Sequence, residues 1–160
     1  MKVIQLMEYS HYLRHSYLET FRKLPWNEFV KDRGASFDSL RNIFLHSVEM
    51  MDRLVNHTIL GNAELPRIAF DDYNSMDKVE AYLTRVESSV NRYLMKITSE
   101  ELSRKVLRKF RDGATSWMTV EDVLFDLFQE ETHHRGEFIA ILWQMGIEPP
   151  HLWWGKYINK

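Results

Sequence analysis

Four stretches of this chain place an apolar residue every three or four positions, and that period lets a helix, but not a strand, gather them on one face. In the first, Val3, Leu6, Ser10, Leu13, Tyr17, Phe21 and Leu24 form a mostly apolar stripe that Pro25 brings to an end. The second covers about residues 37–60, with Ser36 as N-cap, Leu40, Ile43, Phe44, Met51, Leu54 and Val55 as its buried face, and Gly61 as its stop. Ser75 caps the third, whose stripe is Val79, Leu83, Val86, Val90 and Leu94. The fourth opens at Thr119, where Asp122 completes a capping box, and closes at Gly146 ahead of Pro149 and Pro150. Its stripe is Val120, Val123, Leu124, Leu127, Phe138, Ile141 and Met145.

The segments between these helices are read as connections. Residues 62–74 are long enough to join two helices side by side or across a bundle. Residues 98–118 read as irregular and charged, with a short helical turn at "SEEL" and a tight turn around Gly113. No segment shows convincing strand alternation, so the predicted fold is all-α, an antiparallel four-helix bundle forming one domain over residues 1–160. The tail "PPHLWWGKYINK" is rich in aromatic groups, which either pack across the end of the bundle or form a subunit interface; a homodimer is expected on the second count.

Composition removes several functions. A formal net charge of -2 supplies no excess of Lys and Arg to neutralise phosphates, so a nucleic-acid partner is not expected. The one basic cluster, "RKVLRKFR", reads as a solvated face near a loop. With no cysteine, the chain has neither disulfides nor a thiolate of its own. The N-terminal "MKVIQLMEYSHYLRHS" meets charges too early for a signal peptide, and no apolar run approaches the ~20 residues of a membrane span. The expectation is a cytoplasmic protein with no membrane partner. HExxH, P-loop, GxSxG and Rossmann glycine patterns are all missing, which disfavours peptidase, serine-hydrolase and nucleotide-binding chemistry.

Chemistry concentrates in "FQEETHHRGEF", residues 128–138, where polar groups enter the buried stripe of the fourth helix. At about 100° per residue His134 lies near the middle of that stripe, with Glu130 and Glu131 on either side. An unpaired carboxylate there costs several kcal/mol unless a cation, hydrogen bonds or water compensates it. Glu130 and Glu131 stand four and three residues before His134, and either spacing lets the pair converge on one ion. The competing reading is an ion-pair ladder of Glu130, Glu131, Arg135 and Glu137 around a hydrogen-bonded core histidine. His133 points about 100° away, toward the surface or the periphery of a site. On the second helix His46 sits at the margin of the stripe, beside Ile43 and Met50. His11 and His15 also have chelating spacing, but they read as an exposed pair opposite Leu6, Leu13 and Tyr17.

"SFDSLRNIFLHSVEMMD" on the second helix and "HHRGEFIAILWQMGIEPP" on the last, on a four-helix framework, resemble the DinB/YfiT-like superfamily of metal-dependent proteins over nearly the whole chain. That superfamily carries a histidine on the second helix and, on the last, two histidines four apart followed by Arg-Gly-Gln. The resemblance makes His46 the first ligand and His134 the last, puts Glu130 in the place of the middle histidine, and puts Glu137 in the place of the glutamine. It implies a divalent metal held by His46, Glu130 and His134: zinc first, with nickel, iron or manganese also suited to a mixed nitrogen and oxygen donor set. An anionic ligand in place of a neutral one makes bound water a weaker acid and the metal a weaker electrophile. The resemblance further implies a thiol-dependent S-transferase, in which an external low-molecular-weight thiol is activated against an electrophilic small molecule, with Glu131 or His133 assisting as base or orienter. The alternatives are metal-assisted hydrolysis and a non-catalytic, dimeric helical-bundle interaction protein.

Overall fold

The structure is a computed structural model that describes residues 2–63, 66–151 and 153–159. Its framework is four long helices: α1 (Lys2–Phe21), α3 (Leu40–Met51, continued by π-helical turns over Asp52–Ile59), α4 (Met76–Leu94) and α6 (Val120–Gln144). Among the described residues it is joined by short helices α2 (Trp26–Phe29), α5 (Ser99–Ser103) and α7 (Trp154–Tyr157), a 3-10 turn over Phe70–Asp72 and a hairpin, β1 (Lys105–Lys109) with β2 (Thr115–Thr119).

The caps explain most of the boundaries. Ser75 accepts from the Lys78 N–H, and Thr119 and Asp122 form the reciprocal capping box at the start of α6. Gly146, at φ +72°, supplies the left-handed residue that ends α6. The second helix starts later than its apolar pattern suggests. Asp38 has φ +68°, which no helical residue adopts, so the N-cap is Ser39, accepting from the Asn42 N–H, and not Ser36.

The stripes read from sequence meet in one core, in which Tyr17, Phe21, Phe44, Leu83, Leu124 and Leu127 are almost wholly buried. Burying each such side chain stabilises the fold by roughly 1.5–3 kcal/mol before entropy is subtracted. Contacts between helices fix their directions. Arg22 meets Glu80 and His15 meets Glu87, so α1 and α4 are antiparallel; Ser36 meets Glu137 and His46 meets Glu130, so α3 and α6 are antiparallel as well. Asp52 and Asn56 meet Arg85 and Ser89, which makes α3 and α4 parallel. Residues 62–74 are therefore the crossover that returns the chain to the same end of the bundle.

Residues 98–118 are more ordered than their sequence implies. The SEEL turn is α5, but residues 105–119 form the antiparallel hairpin, turning at Gly113 with φ +86°. Its alternation is weak in sequence because only Val106 of β1 is buried, while Leu107 faces Trp117 on the solvent side. Nor is the basic cluster all solvated: the Arg108 side chain is 14% exposed and ion-paired to Asp126 of α6. In the tail, Trp154 and Tyr157 pack on Tyr9 of α1, with ring centroids 5.4 and 5.2 Å away, so this part crosses the bundle within one chain. Among the described residues, no helix is long and apolar enough to cross a membrane.

Candidate metal centre

Two helices build this site. His46 projects from α3, and Glu130 and His134 from adjacent turns of α6, which the antiparallel packing brings level. The Oε1 atom of Glu130 lies 3.2 Å from His46 Nε2 and 3.3 Å from His134 Nε2. Two nitrogen or oxygen ligands at 2.0–2.1 Å from a tetrahedral zinc ion stand about 3.3 Å apart, which both Glu130–imidazole distances match, and all three donor atoms lie within 4.8 Å of one another. The histidine side chains are 9% and 4% exposed and that of Glu130 is 36% exposed, so the cluster is closed on the core side and open at the carboxylate.

Each histidine is oriented by a different device. His134 Nδ1 donates to Glu137 Oε2 at 2.6 Å, which leaves Nε2 as the ligand atom. Glu137 is itself fixed by the Ser36 backbone N–H at 3.0 Å and hydroxyl at 2.9 Å. The ring of His46 is held by Phe37, stacked on it with centroids 3.9 Å apart, and its Nδ1 is buried without a hydrogen-bond partner. Phe37 is positioned by the turn at Asp38, where Asp38 bridges back to Ala35.

Electrostatics follow from these contacts. Hydrogen bonds from His134 and His46 hold Glu130 far below the usual carboxylate range, against the opposing effect of burial. Burial alone lowers the pKa of His134, but Glu130 and Glu137 outweigh it and raise it above the ordinary imidazole value. Glu137 is lowered, since the bonds from His134 and Ser36 exceed its desolvation. Arg108, ion-paired to Asp126, also feels the charge of Glu130 from the hairpin side.

The remaining predicted residues lie elsewhere. Glu131 is buried and turned toward α1, where Arg14 donates to it. His133 is exposed, with its ring edge against His134 at 4.9 Å. The ion-pair ladder does not form as the sequence allowed: Glu130 pairs with the two histidines, and Arg135 donates to Thr132 and lies over the rings of Tyr9 and Phe128. His11 and His15 are half-buried against Glu87 of α4, not exposed. Their flank of α1 faces a second helix beside the core stripe, which a single-helix projection cannot show. Sequence reasoning missed Phe37 and Ser36 as supports of the site. The only hint was their place just ahead of the second helix, and their roles depend on a contact across the bundle.

Comparison with known proteins agrees with this architecture. A family model described as the DinB family matches residues 1–159. Among solved structures, a DinB-like protein from Bacillus cereus ATCC 10987 superposes with a TM-score of 0.66 at 16% identity, covering 92% of this chain and 95% of that one. At that identity the likeness concerns the fold. No curated protein matches.

Proposed function

The chain belongs to the DinB family, and from that premise we propose that it binds one divalent cation, zinc first, through His46 Nε2, Glu130 and His134 Nε2 and uses it in a thiol-dependent S-transfer. The observation that carries the reading is the convergence of the three donor atoms, with Glu130 Oε1 at 3.2 and 3.3 Å from the two imidazoles. A bound cation there supplies Lewis acidity and favours the thiolate form of a ligand thiol.

The protein supplies the rest. Glu137 and Phe37 hold the two imidazoles in place, the apolar shell excludes water from the core side, and the partly exposed Glu130 marks the side on which an external molecule enters. The chain has no cysteine, so the thiol comes from outside.

Elemental analysis of untagged protein tests the first half, with one equivalent of metal expected at this centre and lost in His46→Ala and His134→Ala. Metal that survives both substitutions at full stoichiometry sinks the assignment. Metal-loaded protein assayed against electrophiles with and without small thiols tests the second half, and turnover independent of thiol points to hydrolysis instead.

A further inference from the structure

We propose that His11, His15 and Glu87 form a second divalent-cation site, of the zinc class, at the groove between α1 and α4. The donor types are those of the first centre, two imidazoles and a carboxylate, but here both imidazoles stand at i, i+4 on α1 and the carboxylate comes from α4. His11 Nδ1 lies 3.1 Å from Glu87 Oε1 and His15 Nε2 lies 2.8 Å from Glu87 Oε2, with the ring centroids 4.5 Å apart. All three ligand atoms fall within 4.8 Å of one another. Ligands of one tetrahedral zinc ion stand about 3.3 Å apart, so rotamer adjustments of the two half-exposed histidines complete the set while the buried carboxylate stays in place.

The surroundings favour an ion here. Glu87 is 6% exposed and accepts from His11, His15 and Arg14, so a buried carboxylate is already aimed at the two imidazoles. Arg14 opposes a nearby dication, but its guanidinium is divided between Glu87 and Glu131, which lessens that opposition. The site is not closed over. A groove of about 710 Å³ adjoins it, with His11 and His15 in its lining and apolar walls from Ile4, Met7, Leu94 and Tyr157. Three protein ligands would leave one position of a tetrahedral ion for an exogenous molecule with one coordinating atom, and the groove lined by His11 and His15 would take its apolar body.

The site is independent of the first centre and can be read without it. Zinc titration by calorimetry, with cobalt(II) absorption as a second signal, is to be run on untagged wild type, on His46→Ala/His134→Ala, on His11→Ala/His15→Ala, and on the four combined. The first double variant is expected to keep one equivalent, which the combined variant binds more than about 100-fold more weakly, beyond the usual cost of losing an outer-shell partner. A first double variant that folds and binds nothing, or an ion that His11→Ala/His15→Ala leaves untouched, overturns the proposal. If that variant does not fold, wild type against His11→Ala/His15→Ala decides the matter. A loss of one equivalent supports the site, and equal stoichiometry refutes it.

Discussion

Replacing Glu137 with glutamine separates the two effects that this carboxylate has on the first centre. Glu137 Oε2 accepts the Nδ1–H of His134 at 2.6 Å, and Glu130 Oε1 lies 3.3 Å from the other ring nitrogen. In the metal-free protein these carboxylates raise the pKa of His134 above 6.5, so the imidazolium stabilises the fold below 6.5 and that contribution disappears as pH rises through the folded-state value. A cation must displace that proton, and Glu137→Gln, by lowering the pKa, eases the displacement near neutral pH. The same substitution weakens the hydrogen bond that orients Nε2, and losses of such partners cost about 10–100-fold in metal affinity, or about 1.4–2.7 kcal/mol. At a pH well above the folded-state value the imidazole is neutral in both proteins and only the second effect remains. Chelator-competition titrations of zinc at that pH are therefore expected to show Glu137→Gln weaker by about 10–100-fold, with the gap narrowing toward pH 6.5. Nitrogen-detected NMR of metal-free protein is expected to show the His134 pKa falling. Unchanged affinity at high pH with an unchanged His134 titration refutes the claim that Glu137 orients this ligand.

Two further outcomes test the frame around both sites. Glu87 is held at about 2 against an ordinary 4.5, so it contributes up to about 3 kcal/mol above pH 4.5 that is lost as pH falls toward 2; urea unfolding free energies measured across that range are expected to decline less steeply in Glu87→Gln, and an identical slope contradicts the assignment. Thr119→Ala removes the side chain that accepts the Asp122 N–H at 3.1 Å, and should cost about 1 kcal/mol in urea unfolding while leaving zinc affinity unchanged, because the cap lies about three turns from Glu130.

Two kinds of information decided this protein. The sequence by itself determined the helices, because a 3.6-residue period and capping groups such as Ser75, Thr119 and Asp122 act through neighbours a few positions away. It also singled out His134 with Glu130 and Glu131, since polar groups inside an apolar stripe stand out in one helix, while the choice of Glu130 over Glu131 came only from the family resemblance. The start of α3 was harder, because Ser36 suits an N-cap by residue type and only the left-handed Asp38 moves the cap to Ser39. The hairpin was hidden because one buried residue in β1 leaves almost no alternation to read.

Tertiary structure decided what each polar group faces. Glu130 and Glu131 differ by one position, and only the placement of α1 and α3 sends the first to His46 and the second to Arg14. Glu137 and Ser36, and likewise His15 and Glu87, are far apart in sequence and share no pattern that a helical projection could detect. A helix in a bundle has neighbours on both flanks of its apolar stripe, and a polar residue on a flank acquires its partner only when the second helix arrives.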